Sequence, residues 1–149
     1  MDTKLLNILT ENEYLLKKSW KPKAENHTGL RGMIIDDGMD CMKLITKFLN
    51  DDGIENIRCY TNEMEALVSY IKDKPDFLII DVQLENLSGF TLGRAIKSID
   101  MFPPPILYIS ANRDNSSVDY KNDCYKSDFL PKPFNKKGLL SSVHRLLFS

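Results

Sequence analysis

From about residue 31 onward, short apolar runs alternate with longer stretches in which apolar residues recur at helical spacing. The short runs have the length of buried strands, and the longer stretches have the pattern of amphipathic helices. The predicted strands are MIID (33–36), IENIRCYT (54–61), DFLIID (76–81), ILYIS (106–110) and DFL (128–130). Strands that alternate with helices predict right-handed crossovers and a parallel α/β sheet, doubly wound, with helices on both faces.

Five helices are predicted around these five strands. They cover residues 40–50, a stretch that begins at Asn62, residues 89–99, residues 114–126 and residues 136–148. Asn62 and Glu65 form a capping box at the start of the second helix. The fourth stretch, DNSSVDYKNDCYK, is poor in strong helix formers, so we expect that helix to be short or mobile without phosphate.

Residues 1–28 stand outside this alternation, and we expect a helical extension and linker there before one domain over residues 29–149. Thr10 and Glu13 form a second capping box, which predicts one or two short amphipathic helices. Two interpretations carry equal weight. The extension is either a docking or dimerisation helix with Leu15, Leu16 and Trp20 as anchors, or a helix packed on its own domain or a partly disordered tail.

Composition narrows the class of protein. The 149 residues are 42% hydrophobic and 28% charged with a net charge of −1, which favours a soluble, cytoplasmic protein that neither binds nucleic acid nor inserts into membranes. Three scattered cysteines without a CxxC pair indicate free thiols in a reducing compartment. The two histidines, His27 and His144, lie far apart, which argues against a zinc site.

Polar side chains follow the predicted strands where each strand ends. Asp36 and Asp37 follow the first strand, Asp81 ends the third, Ser110 ends the fourth and Lys132 comes after the fifth. Because the carboxyl ends of parallel strands meet at one edge of the sheet, we expect all of them to converge there.

Carboxylates gathered at an apolar edge repel one another unless a cation compensates them. Oxygen ligands of this kind suit Mg²⁺, which binds a few carboxylates together with phosphate and water. A lysine and a serine hydroxyl provide partners for phosphoryl oxygens, and an aspartate is a plausible nucleophile that forms an acyl phosphate.

Four segments, MIIDD, DFLIIDVQLENLSGF, PILYISAN and DFLPKPF, resemble in order and spacing the signatures of response-regulator receiver domains of two-component signalling. The resemblance covers residues 30–149 and implies a five-stranded flavodoxin-like fold. It implies that Asp81 is the phosphoacceptor. It further implies that Mg²⁺ is held by Asp37, by Asp81, by the backbone carbonyl of Gln83 and, often through water, by Asp36.

The same resemblance implies the remaining roles. Lys132 pairs with the phosphoryl group, Ser110 moves to bond it, and Phe129 repacks inward as the aromatic switch. The Lys132–Pro133 bond is expected to be cis, as is common in that family. Glu85 stands where the family often has proline, a change expected to loosen the loop that carries Gln83.

The expected function is that of a stand-alone, chemotaxis-regulator-like switch without an output domain, phosphorylated by a histidine kinase or a histidine phosphotransfer protein. It would act on a downstream target protein or pass the phosphoryl group on, and it would be a switch and not an enzyme. A homodimer is left open. The alternative is a non-phosphorylated scaffold that acts through residues 1–28. A phosphate hydrolase is less favoured, because such enzymes typically carry a second Asp where this chain has Gln83.

Overall fold

The computed structural model describes residues 29–112 and 126–148. The strands are β1 (Arg31–Ile35), β2 (Asn56–Tyr60), β3 (Phe77–Asp81), β4 (Ile106–Ser110) and β5 (Ser127–Pro131). The helices within the described ranges are α1 (Met39–Asp51), α2 (Glu63–Lys72), α3 (Gly89–Ile99) and α4 (Lys136–Phe148). The predicted helix over 114–126 and the predicted helical extension over 1–28 lie outside the described residues.

All the strands are parallel and form one sheet in the order β2-β1-β3-β4-β5. The two strands with the most continuous apolar sequence, β3 and β4, are buried along their whole length. Such continuous burial is expected of central strands in a sheet that helices cover on both faces. The outer strands β2 and β5 contain more polar residues than β3 and β4, and they are only partly buried.

The sheet separates two hydrophobic cores. On one face, α1 and α4 pack against apolar side chains such as Ile34, Ile79 and Leu107. On the other face, α2 and α3 pack against the alternate residues of the same strands, such as Met33 and Ile80. The predicted α/β class and five-stranded doubly wound parallel sheet are therefore confirmed.

The structure also tests several local predictions. The side chain of Asn62 accepts hydrogen bonds from the backbone N–H groups of Met64 (2.9 Å) and Glu65 (3.0 Å) and so caps α2. The Lys132–Pro133 peptide bond is cis, as expected. Cys41 and Cys59 are free thiols. The last strand is longer than the predicted DFL run, because backbone pairing with β4 extends it to Pro131.

Candidate functional site

The predicted polar residues meet at the carboxyl edge of the sheet. Asp36 directly follows β1, Asp81 and Ser110 end β3 and β4, and Lys132 directly follows β5. Asp36, Asp81 and Ser110 are 1%, 5% and 0% exposed. Such burial is rare for the two aspartates unless they are paired. The order of the strands places β1 and β4 on either side of β3, so Asp81 lies at the middle of the edge.

Lys132 is the cation that joins the two buried carboxylates. Its Nζ lies 3.1 Å from Oδ2 of Asp36 and 3.1 Å from Oδ2 of Asp81. Burial by itself would lower the pKa of Lys132, but the carboxylates of Asp36 and Asp81 raise it well above its usual value. The ammonium therefore stays charged at physiological pH and is placed to meet negative charge beside Asp81.

Asp81 is held in one orientation by both of its oxygens. Oδ1 accepts a hydrogen bond from the backbone N–H of Gln83 (3.0 Å), while Oδ2 faces Lys132. Burial and the charge of Asp36 raise the pKa of Asp81, although the bonds from Gln83 and Lys132 act in the opposite direction. A buried carboxylate whose negative charge is only partly compensated is suited to bind a cation or to react as a nucleophile.

The adjacent acidic residues Asp36 and Asp37 occupy different environments. Asp36 points into the site, and its Oδ1 accepts a hydrogen bond from the backbone N–H of Gly38 (2.7 Å). Asp37 is exposed beside the site. Its pKa is raised by partial desolvation and by the negative charges of Glu63, Asp36 and Glu85. The doublet thus places one carboxylate inside the edge and a second at its rim.

Ser110 and Lys132 are connected through the backbone. The backbone N–H of Lys132 donates to the carbonyl oxygen of Ser110 (2.8 Å), and the hydroxyl oxygen of Ser110 accepts from the backbone N–H of Asn112 (3.0 Å). Phe129 pairs with Tyr108 in the register of β4 and β5 and packs, half-buried, against the core on the α2 and α3 face. The structure therefore brings Asp36, Asp81, Ser110 and Lys132 together, whereas Phe129 lies farther back along its strand.

Glu63 is a site residue that the sequence did not single out. It is the first residue of α2, is only 3% exposed, and accepts hydrogen bonds from the backbone N–H and the Nδ2 of Asn86, both at 3.1 Å. Burial alone would raise the pKa of Glu63, but these bonds and one from its own backbone N–H bring it below the usual value. Glu63 therefore fixes the loop after Asp81 as an ionised carboxylate.

The loop between β3 and α3 has two further restraints. An isolated bridge pairs Gln83 with Ser88, so the loop turns back on itself. At its end, the backbone of Gly89 approaches Asp81 so closely that a Cβ atom there would overlap the carbonyl oxygen of Asp81. Only glycine allows this approach. The segment that contains Glu85 in place of proline is thus anchored at Asn86 and at both ends.

Cys41, predicted only to be a free thiol, is a second neighbour of the site that the sequence did not reveal. Burial, and after it the nearby carboxylate of Asp36, raise the pKa of Cys41 to about 11, although Lys132 acts in the opposite direction. A thiol with such a pKa stays protonated at neutral pH and is a poor nucleophile. Cys41 lines a cavity of about 550 Å³ together with Lys132, Pro133 and Phe134.

The donor set fits a hard divalent cation. Within residues 29–112 and 126–148, no three His, Cys, Asp or Glu side chains are arranged to hold an ion by themselves. A cation near Asp36, Asp37 and Asp81 would therefore also need backbone carbonyl, water or phosphate oxygens, which Mg²⁺ accepts. Burial is the largest cause of the raised pKa values of Asp37 and Asp81, and repulsion between neighbouring carboxylates adds to it, so a cation at this edge would be stabilised by both groups.

Comparison with known proteins places this geometry in a family. The family model of the response regulator receiver domain matches residues 33–144. The chain belongs to this family. Receiver domains take part in phosphorylation-based two-component signalling, their partners are histidine kinases, and they generally bind Mg²⁺ at the phosphorylation site.

Individual relatives agree with this assignment. The chain is 29% identical over 120 residues to the response regulator MprA of Mycobacterium leprae, covering 79% of this chain and 51% of that protein. It is 30% identical over 115 residues to the transcription factor SKN7 of Candida albicans, covering 77% of this chain and 20% of that protein. The solved structure of the chemotaxis response regulator CheY4 of Vibrio cholerae superposes with a TM-score of 0.70 at 26% identity, covering 79% and 98% of the two chains.

The chain spans about half the length of MprA and a fifth of the length of SKN7. In the part of the chain that the structure describes, no helix is both long and apolar enough to cross a membrane.

Proposed function

We propose that Asp81 accepts a phosphoryl group from the phosphohistidine of a histidine kinase or histidine phosphotransfer protein, and that this acts as a reversible switch. The observation that supports it is the ammonium of Lys132, which lies 3.1 Å from the carboxylates of both Asp36 and Asp81 at a buried sheet edge. A scaffold does not need two buried carboxylates beside a buried ammonium. Phosphoryl transfer, by contrast, requires a nucleophile beside a fixed cation.

The transfer is a substitution at phosphorus. A carboxylate oxygen of Asp81 forms the new O–P bond as the P–N bond to the donor imidazole breaks, and the imidazole leaves with the electron pair of that bond. Lys132 neutralises charge on the phosphoryl oxygens, and the Ser110 hydroxyl donates to one of them. Asp36, Asp37 and the backbone carbonyl of Gln83 would hold Mg²⁺ with Asp81. When bound, the ion would offset the charges of the carboxylates and the incoming phosphate.

The phosphorylated state acts through a protein contact. Movement of Ser110 towards the phosphoryl group leaves room for Phe129, which is half-buried next to β4, to repack inward. Phe129 has no hydroxyl, so its inward state gains apolar burial without an outward hydrogen bond. The changed face then binds a target protein, or the phosphoryl group passes on to a further histidine. In either case the chain works as a phosphorylated switch and not as an enzyme with a released product.

The experiment that tests this is intact-mass spectrometry of the full chain after incubation with acetyl phosphate and Mg²⁺. The wild type is expected to gain one phosphoryl group, and Asp81→Asn is expected to gain none. Asp51→Asn is the matched control, because Asp51 is an exposed aspartate that pairs with Lys136 away from the site. It should be labelled like the wild type.

Two outcomes would contradict the proposal. Equal labelling of Asp81→Asn and wild type would place the modification elsewhere. Absence of an adduct from acetyl phosphate and from a histidine phosphotransfer donor alike would favour the non-phosphorylated scaffold. Omission of Mg²⁺ is expected to reduce labelling strongly, because a divalent ion would offset the negative charges of Asp36, Asp37 and Asp81 beside the incoming phosphate.

A further inference from the structure

Helix α2 is apolar on two opposite sides. Its inner side buries Ala66 and Tyr70 in the core. On the outer side, Met64, Val68 and Ile71 follow one another at positions i, i+4 and i+7, which aligns them in a single stripe. They are 64%, 47% and 66% exposed. A surface helix normally presents charged and polar residues to solvent, so this outer stripe is unusual.

The contrast with α1 shows that the stripe is not a general property of this chain. The exposed positions of α1 are mainly polar, as at Asp40, Lys43 and Lys47, and its two exposed apolar residues, Met39 and Leu44, are five residues apart and so do not align in a stripe. Beside the α2 stripe, a groove of about 580 Å³ runs between the helix and β2, lined by Met64, Val68, Arg58 and Tyr60 among others. Because β2 is an edge strand with β1 as its sheet neighbour, this groove opens outward.

The chain enters β1 next to the end of this helix. The guanidinium of Arg31 pairs with Asp73, and its Nη2 donates to the carbonyl oxygen of Lys74 (2.6 Å), while its backbone N–H donates to Asp76 (2.8 Å). These partners directly follow α2 in the sequence. Residues 1–28 therefore lead into the domain at a point that is anchored beside the Ile71 end of the stripe.

We propose that residues 1–28 of this chain dock along the outer side of α2 and cover Met64, Val68 and Ile71. In this N-terminal segment Leu16 and Trp20 lie four residues apart, the same spacing as Met64 and Val68 in the stripe, and Leu15 adjoins Leu16. A linker over 21–28 spans up to about 27 Å when extended, whereas the stripe is about 10 Å long at the rise of a helix. The segment can therefore reach every part of the stripe.

An occupant from the same chain fits better than a second copy. Three part-exposed side chains fall short of the roughly 800 Å² that each partner buries in a stable interface. A tethered segment needs less area, because a short flexible linker provides an effective concentration in the millimolar range. The docking does not depend on phosphorylation of Asp81, so its test is independent of that proposal.

Trp20 allows a direct test, because the chain contains one tryptophan. Its fluorescence is recorded in the full chain for wild type, Val68→Lys and Leu44→Lys, with the urea-unfolded wild type as the reference for a solvated indole. Val68 and Leu44 are 47% and 42% exposed, but Leu44 is on α1, on the opposite face of the sheet, so it is the matched control. Circular dichroism verifies that each variant is folded.

The expected result is a wild-type emission at shorter wavelength than the unfolded reference, which Leu44→Lys retains and Val68→Lys shifts towards the reference. Quenching by acrylamide should increase in Val68→Lys to near the level of the unfolded chain. A wild type that already emits like the unfolded chain, or a shielded emission that Val68→Lys leaves unchanged, would overturn the proposal. So would a shift in Leu44→Lys. An emission that changes with protein concentration would assign the stripe to a second copy.

Discussion

The carboxyl edge of the sheet and the outer side of α2 depart from the usual distribution of residues in opposite ways. At the edge, the acidic groups of Asp36 and Asp81 are buried. On the outer side of α2, the apolar side chains of Met64, Val68 and Ile71 are exposed. Each arrangement is unfavourable by itself and becomes favourable with a partner of the matching kind, which is a cation with phosphate at the edge and an apolar segment on the helix.

The two regions also differ in how their residues depend on one another. Lys132 joins the carboxylates at the carboxyl ends of β1 and β3, so removing one member changes the environment of the others. The apolar side chains of the α2 stripe are not joined to one another by an ion pair or a hydrogen bond. Substitutions at the edge should therefore have large and mutually dependent effects, whereas substitutions on the stripe should have small and nearly additive ones.

The largest effect is expected for Lys132→Ala. Without the ammonium, two buried carboxylates repel each other, and we expect a loss of about 1–3 kcal/mol in the free energy of unfolding, measured by urea denaturation without metal. Mg²⁺ should restore part of this stability in the variant, because the ion replaces the missing positive charge. Phosphorylation by acetyl phosphate should also be strongly reduced.

The matched control is Lys136→Ala. Lys136 pairs with Asp51 at 3.0 Å, but both side chains are more than 40% exposed, so the loss should stay below about 1 kcal/mol. Equal losses for the two variants would mean that the edge is no more strongly coupled than an ordinary surface ion pair, and the contrast between the two regions would fail.

The sequence predicted the fold and much of the site because both follow from local patterns. Apolar runs located β3 and β4 to within a residue, and the order of polar residues after the strands brought Asp36, Asp81, Ser110 and Lys132 together. Parallel topology was the step that made this possible, since it places all the carboxyl ends at one edge. The roles of these residues in phosphoryl transfer remain predictions.

Other features were not predictable from the sequence because they depend on contacts between distant segments. Glu63 is separated by 23 residues from Asn86, and no spacing in the sequence indicates that they pair. Cys41 comes close to Asp36 only because α1 begins immediately after the turn at Gly38. The apolar stripe of α2 could be detected as a periodicity, but only the structure shows that it faces outward, away from the core.

The next largest effect is expected for Asp81→Asn, and it depends on pH. The raised pKa of Asp81 means that its ionised form lowers the stability of the folded state above that pKa, an effect that disappears below the unfolded value of about 3.9. At neutral pH without Mg²⁺, the free energy of unfolding of Asp81→Asn should therefore be about 0.5–2 kcal/mol higher than that of wild type. The gain should fall towards zero near pH 4.

Urea unfolding of the two proteins at a series of pH values measures this difference. A gain that is constant with pH would show that it does not arise from the titration of Asp81. A variant less stable than wild type at neutral pH would show that the bonds to Lys132 and Gln83 outweigh the burial of the carboxylate.

A smaller effect is expected for Glu63→Gln. The amide keeps one acceptor oxygen, so one of the two hydrogen bonds from Asn86 is lost, and we expect a decrease of about 1 kcal/mol in the free energy of unfolding. One negative charge near Asp37 also disappears, so Mg²⁺ should bind more weakly in a titration. Glu65→Gln, two residues along the same helix and exposed, should change neither quantity. Equal behaviour of the two variants would remove Glu63 from the site.

An effect of similar size to that of Glu63→Gln is expected on the outer side of α2, for Ile71→Lys compared with Leu44→Lys in the full chain. Leu44 is 42% exposed and Ile71 66%, so exposure alone predicts that Leu44→Lys is the more destabilising. If residues 1–28 cover the stripe, the order reverses, and Ile71→Lys should cost about 1 kcal/mol while the free energy of unfolding of Leu44→Lys changes less. Parallel urea denaturation curves decide between the two orders. If Leu44→Lys remains the more destabilising variant, the stripe is exposed to solvent in the full chain. In that case only the carboxyl edge of the sheet, and not the outer side of α2, would have a matching partner.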